Sequence, residues 1–148
     1  MSDIDILLVA DDDDAVESLE RAFDDGDSPG RLHVVDTGEA AVSWLRRDDG
    51  YEDAPTPDLL LVDLSAAGGT SALETVKTDA RYRRLPVLAF ADPESRSDLE
   101  TAYDKHANAC LHRPADADEY AEVVRSVTAF WALTAELPIA YDDEEALP

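Results

Sequence analysis

Short apolar runs alternate with amphipathic stretches along the whole chain. Residues Ile4 to Ala10 form a leucine-rich, β-branched run that is typical of a buried strand. Similar strand-sized runs follow at Leu32 to Val35, Asp58 to Asp63, Val87 to Ala91 and Ala109 to His112. The pattern therefore predicts five strands, of which the third is apolar throughout its centre, as in a strand buried on both faces.

The stretches between these runs carry apolar residues at helical spacing, and each predicts a helix. The first helix is expected to begin at about Asp13, with Asp12 or Asp13 as its N-cap, and the second is expected to begin at Thr37. The third should follow the pair Gly68 and Gly69, and the fourth should carry Leu99, Tyr103 and His106 on one face. The fifth is expected to begin at about Asp116. Five strands alternating with five helices predict an α/β fold. We expect a doubly wound, flavodoxin-like parallel sheet of order 2-1-3-4-5 in one domain over residues 1–137, followed by an acidic tail over 138–148.

The charge of the chain narrows the set of partners. Thirty-five acidic residues face twelve basic ones, which gives a formal net charge of −23. Such a surface repels nucleic acid and anionic lipid, because binding either requires clustered Lys and Arg. The acid excess is similar to that of proteins from salt-loving microbes, in which molar salt reduces the Debye length to about 3 Å and screens the self-repulsion. An ordinary acidic protein is the alternative.

Cysteine content and the longest apolar runs indicate the compartment. Cys110 is the single cysteine, so the monomer has no disulfide framework and a reducing interior is expected. The N-terminus lacks the pattern of a signal peptide, and no apolar run is long enough to span a bilayer. The sequence therefore predicts a cytoplasmic protein without a membrane segment.

Two acidic residues lie where a parallel sheet places its ligands. Asp11 follows the first predicted strand and Asp63 ends the third, and these strands are neighbours in the predicted order. Converging carboxylates suit Mg²⁺, and a carboxylate beside such an ion can accept a phosphoryl group. The alternative is structural, since an Asp after a strand is often a turn or N-cap residue and Asp11 to Asp14 could be a capping cluster.

Four segments carry a resemblance to a known family. They are ILLVADD at 6–12, PDLLLVDLS at 57–65, RRLPVLAF at 83–90 and ANACLHRP at 107–114. In this order and spacing they resemble the receiver domain of two-component response regulators. The segments at 50–64 and 123–138 resemble, more narrowly, the stand-alone receivers that partner phytochrome-type histidine kinases.

The resemblance implies a phosphorylation switch and assigns its parts. Asp63 matches the phosphoryl acceptor, Asp11 matches the acid that ligates Mg²⁺, and Ser65 matches the position whose backbone carbonyl completes the metal site. Arg113 stands in place of the lysine that pairs with the phosphoryl group. Ala91 stands in place of the Thr or Ser that hydrogen-bonds this group, which makes it a degenerate switch position.

Several of these parts depart from the family pattern. Ala10 replaces one carboxylate of the metal site, and Asp12, one residue later, is the candidate substitute. Ala91 cannot donate a hydrogen bond, and the Arg113 guanidinium is not equivalent to an ammonium group. The favoured interpretation is an atypical or pseudo-receiver that binds partners without a phosphorylation cycle, because the losses fall on coupled parts of one site. The alternative is a working phospho-receiver with Mg²⁺ at Asp63.

Partners follow from the same resemblance and from the last helix. The resemblance implies a histidine kinase or a downstream signalling protein as partner, and no enzymatic activity is expected. The last helix is apolar on two sides, which is more apolar surface than one sheet covers. We therefore predict a homodimer through this helix, with Phe130 and Trp131 near the interface.

Overall fold

A computed structural model gives the structure of the protein and describes residues 4–24, 30–48 and 50–133. Its strands are β1 (Ile4–Val9), β2 (Gly30–Val35), β3 (Leu59–Asp63), β4 (Val87–Ala91) and β5 (Ala109–His112). Its helices are α1 (Asp13–Phe23), α2 (Gly38–Arg46), α3 (Gly69–Thr78), α4 (Arg96–Asp104) and α5 (Ala117–Leu133). The strands pair in parallel in the order β2-β1-β3-β4-β5, which confirms the predicted fold and strand order.

Helices on both faces of the sheet explain why its central strands are apolar. Every residue of β1, β3 and β4 is buried. On one face, α1 and α5 pack over Leu8, Leu61 and Phe90. On the other face, α2, α3 and α4 cover Leu7 and Leu60. Each central strand therefore contacts helices on both sides, as a parallel sheet requires.

Side-chain caps fix where three of the helices begin. The Asp12 carboxylate accepts hydrogen bonds from the backbone N–H groups of Asp14 and Ala15, at 3.0 and 3.2 Å, and so caps α1. Thr37 caps α2 and Ser95 caps α4 in the same way. Each cap satisfies a backbone donor that has no partner within its helix.

The sequence-based prediction differs from the structure by one residue at the end of β1 and at the start of β3, and more clearly at two further points. Strand β2 begins at Gly30 rather than Leu32, because Gly30 continues the ladder with Ile4 and is buried there. His106 does not share a helix face with Leu99 and Tyr103, since α4 ends at Asp104 and His106 has a φ of 69°. The backbone N–H of His106 instead donates to the carbonyl of Tyr103 in the turn that ends the helix.

The loop from Leu64 to Gly68, here called the β3–α3 loop, is held against the start of α2. The backbone N–H of Gly38 donates to the carbonyl of Ala67 at 2.8 Å. A methyl group added at Gly38 would overlap the backbone of Gly68, which itself has a φ of +73°. The two backbones thus approach more closely than any residue with a side chain at position 38 would allow.

The remaining predictions on organisation concern the chain termini and membranes. The expected acidic tail over 138–148 lies outside the described residues, so the boundary after residue 137 stays a prediction. Among the helices of the described ranges, none combines the length and the apolar character that crossing a bilayer would require.

Candidate functional site

Asp63 occupies the carboxyl end of the central strand β3. It pairs in the ladder with Phe90 of β4 and is only 2 % exposed. Burial of a carboxylate costs free energy unless its oxygens accept hydrogen bonds. The partners of the two Asp63 oxygens therefore determine what this group is able to do.

Ser65 provides two hydrogen bonds to one oxygen of Asp63. Its backbone N–H and its hydroxyl donate to Oδ1 at 3.0 and 2.7 Å. The family resemblance assigned Ser65 to the metal site through its backbone carbonyl. Its described contacts with Asp63 instead come from its backbone N–H and its hydroxyl. An Asp side chain that accepts a hydrogen bond from the backbone N–H two residues later forms an Asx turn. This turn stabilises the start of the β3–α3 loop.

Tyr120 holds the other oxygen of Asp63. It lies in the first turn of α5, and its hydroxyl donates to Oδ2 at 3.2 Å. Its ring packs against Phe90 at a centroid distance of 4.9 Å, and the residue is 2 % exposed. Burial, together with the nearby charge of Asp63, raises the pKa of the Tyr120 phenol far above its ordinary value, so the group is a neutral donor. Sequence analysis missed this residue.

Arg113 brings a positive charge to the same carboxylate. Its Nε lies 3.8 Å from Asp63 Oδ1, which is an ion-pair distance but too long for a hydrogen bond. The residue directly follows β5, and its backbone N–H donates to the carbonyl of Ala91 at 2.8 Å. The structure therefore places Arg113 near Asp63 and leaves its guanidinium partly exposed, while its role beside a phosphoryl group stays a prediction.

Ala91 lies at the carboxyl end of β4 and is buried. Its methyl side chain offers no hydrogen-bond donor, and its backbone carbonyl accepts a hydrogen bond from the N–H of Arg113. The position that carries a hydroxyl in the resembled family is thus filled by an apolar group in this site.

The predicted metal ligands are not gathered into one side-chain cluster. Asp12 is engaged as the cap of α1, and Asp11 is exposed beside a groove that also includes Asp13, Asp36 and Tyr51. Within the described ranges, no group of three or more His, Cys, Asp or Glu side chains is arranged to hold a metal ion. The described side chains therefore form no preassembled Mg²⁺ site, although Oδ2 of Asp63, with one hydrogen bond from Tyr120, retains a second lone pair for a ligand.

A cavity of about 640 Å³ lies beside the buried carboxylate. Its polar lining comprises Asp12, Asp14, Asp92, Glu94, Arg113 and Tyr120. Four carboxylates and one guanidinium give this space a negative potential at neutral pH, which opposes the entry of an anion. Arg113 is the one basic side chain among the residues that line it.

Comparisons with known proteins agree on one class. No family model matches the chain. The chain is 30% identical over 127 residues to the probable methanogenesis regulatory protein FilR2 of Methanothrix harundinacea, covering 85% of this chain and 82% of the relative. It is 26% identical over 137 residues to response regulator Rcp1 of Synechocystis, covering 91% of this chain and 93% of that protein.

Two solved structures extend the comparison. The phosphorylated cyanobacterial phytochrome response regulator RcpA superposes with a TM-score of 0.83 at 28% identity, covering 93% of this chain and all of that one. The Mn²⁺-bound form of Rcp1 superposes with a TM-score of 0.80 at 25% identity, covering 92% and 99%. The fold and the buried aspartate at the end of β3 define a signal-receiving α/β domain. The chain belongs to the response-regulator receiver family of two-component signalling.

Proposed function

We propose that this receiver acts as a protein-interaction module of two-component signalling without a working phosphorylation switch. The observation that carries the proposal is the state of Asp63, whose two carboxylate oxygens are both hydrogen-bonded within the chain, to Ser65 and Tyr120. The absence of a hydroxyl at Ala91 adds support, because a phosphoryl group on Asp63 would find no side-chain donor there. A negatively lined cavity further disfavours an anionic phosphoryl donor.

The second candidate is a phospho-receiver that accepts a phosphoryl group from a histidine kinase. Arg113 favours it, because a positive charge 3.8 Å from Asp63 Oδ1 would stabilise a phosphorylated aspartate. In this reaction an Asp63 oxygen forms a bond to phosphorus while the bond from phosphorus to the donor breaks. Mg²⁺ would be needed to offset the charge that develops, with Asp11 as a further carboxylate ligand.

One experiment separates the two candidates. The parent protein and Asp63→Asn are incubated with acetyl phosphate and Mg²⁺ in high salt, and their intact masses are measured. A typical receiver treated in parallel shows that the conditions support labelling. We expect no phosphoryl adduct on the parent. An adduct on the parent that Asp63→Asn lacks would refute the proposal and establish the phospho-receiver.

We also propose that the protein is not an enzyme. A phosphatase or hydrolase built on Asp63 would need a second acid or a base beside it. Among the described residues, the side chains that hydrogen-bond or ion-pair with the carboxylate are those of Ser65, Tyr120 and Arg113, and none of these is a carboxylate or an imidazole. Lack of phosphate release from p-nitrophenyl phosphate, with and without Mg²⁺, is the expected result.

Partner binding is proposed to include a second copy of the chain. Phe130 of α5 is 53 % exposed and packs edge-on against Trp131 at a centroid distance of 5.9 Å. An exposed aromatic side chain beside a second ring is suited to the centre of an interface. Light scattering in high salt should give a dimer for the parent and a monomer for Phe130→Ala. A monomeric parent would contradict the proposal.

The charge of the chain supports a proposal on its environment. We infer a halophilic, cytoplasmic protein whose fold depends on salt, since a net charge of −23 destabilises the compact state at low ionic strength. The urea midpoint should rise steadily from about 0.1 M to about 1 M KCl, a range over which the Debye length falls from about 10 Å to about 3 Å. A midpoint independent of salt would indicate an ordinary acidic protein.

A further inference from the structure

We propose that Tyr120 is a positioning residue that locks Asp63 in an orientation unable to accept a phosphoryl group. The inference rests on the proposed function and gives it a physical cause. It starts from a single contact, the hydrogen bond from the Tyr120 hydroxyl to Asp63 Oδ2 at 3.2 Å. The contact joins the first turn of α5 to the end of β3, 57 residues apart in the sequence.

Asp63 is held at both of its carboxylate oxygens. The Ser65 donors bind Oδ1 from the β3–α3 loop, while Tyr120 binds Oδ2 from α5. A carboxylate fixed at both oxygens cannot rotate about its terminal bond without breaking at least one of these contacts. Tyr120 therefore supplies the second of two anchors, and its removal frees Oδ2 while leaving the Ser65 anchor in place.

The Tyr120 ring is itself held firmly. It packs against Phe90, the ladder partner of Asp63, and its backbone N–H donates to the carbonyl of Asp116 at 2.9 Å. Because the phenol stays protonated across the physiological pH range, it remains a donor throughout that range. The phenol is thus able to donate to Asp63 under all of these conditions.

The position of Tyr120 also affects access to Asp63. Tyr120 and Arg113 belong to the lining of the 640 Å³ cavity, whereas Asp63 does not. A phosphoryl donor in this cavity therefore meets the phenol before the carboxylate. Attack on phosphorus requires an Asp63 oxygen with a lone pair directed at the donor, and the hydrogen bond from Tyr120 engages one of the two lone pairs of Oδ2 and fixes the direction of the other.

Tyr120→Phe tests the lock, because it removes the hydroxyl and retains the ring that packs against Phe90. We expect the variant to gain a phosphoryl adduct from acetyl phosphate and Mg²⁺ in high salt, at an initial rate at least about tenfold above the parent, as expected for loss of a hydrogen bond to a charged group. The adduct should disappear in the double variant with Asp63→Asn. Tyr82→Phe is the matched control, since its hydroxyl donates to the carbonyl of Leu45 at 3.1 Å, in another part of the fold.

The outcomes separate the lock from the proposed function. If neither the parent nor Tyr120→Phe is labelled, the lock is overturned and the proposed function stands. Equal labelling of both overturns the lock and the proposed function together. Slow labelling of the parent with a tenfold faster Tyr120→Phe supports the lock and overturns the proposed function. A gain of equal size in Tyr82→Phe also overturns the lock, because it would reflect general loosening.

A spectroscopic readout excludes a purely structural role for the hydroxyl. Asp63→Asn should change the near-ultraviolet absorption of the parent, because the phenol loses a charged acceptor. The same substitution in the Tyr120→Phe background should produce no such change. An identical difference spectrum in both backgrounds would show that another tyrosine is responsible, and the proposed contact would then be wrong.

Discussion

Replacement of Gly38 by Ala tests the close contact between α2 and the β3–α3 loop. The added methyl group would overlap the backbone of Gly68 and lie 3.0 Å from the Ala72 side chain. The partner is backbone rather than the end of a flexible side chain, so the loop itself must shift. Overpacking of this kind costs about 1–3 kcal/mol, and the shift also weakens the bond from Gly38 N–H to Ala67, which is worth about 1 kcal/mol. Alanine regains up to about 1 kcal/mol in a helix.

We therefore expect Gly38→Ala to lower the free energy of unfolding by about 2 kcal/mol. Urea unfolding in high salt, followed by circular dichroism, measures this loss. Glu39→Ala is the matched control, because Glu39 is exposed in the same helical turn and its change should stay within about 0.5 kcal/mol. A Gly38→Ala protein as stable as the parent would refute the steric argument.

Two further substitutions test an ion pair and the core. Arg31, which bonds both oxygens of Asp5, and His33 lower the pKa of the Asp5 carboxyl below its ordinary value. Asp5→Asn should cost about 1 kcal/mol at neutral pH, because the Arg31 side chain is largely exposed. Because the pKa of Asp5 is lower in the folded than in the unfolded protein, its charged form stabilises the fold. This stabilisation is complete above the ordinary pKa of the carboxyl group and is lost as the pH falls through the lowered pKa of the folded state. The difference between parent and variant should thus hold from pH 7 to about pH 5 and shrink below about pH 4; a constant difference would contradict this sign. Leu61→Ala, at a fully buried position of β3, should cost about 3 kcal/mol in urea unfolding, and a loss under about 1 kcal/mol would show that the core repacks.

The fold followed from the sequence because its apolar pattern is simple. A central run such as Leu59 to Val62 has no polar residue, which is typical of a short strand covered on both faces. Helix starts were predictable where a capping residue preceded them, as Thr37 does for α2. The end of α4 was not, because His106 adopts a positive φ without being glycine and no sequence pattern signals this.

The candidate site was predictable only in part. Asp63 was expected at the ligand-binding edge because it ends a central parallel strand, whereas Arg113 was assigned beside it through the family resemblance alone. Tyr120 was missed because its hydroxyl acts across 57 residues of sequence, and a Tyr on the buried face of a helix predicts packing rather than a donor. Its position on that face was the one available signal, since a buried phenol usually finds a hydrogen-bond partner.

The order in which the chain completes its sheet has a consequence for folding. β1 precedes the other described strands of the sheet in the chain, yet it pairs with both β2 and β3, so its second edge stays open until residues 59–62 are available. The face that carries Leu8 and Phe90 is covered partly by α5, which begins only at Ala117. Contacts between such distant segments delay folding, because loop closure precedes any gain from packing. Chains stalled on the ribosome before α5 should therefore expose this face and depend on chaperones until the last helix docks.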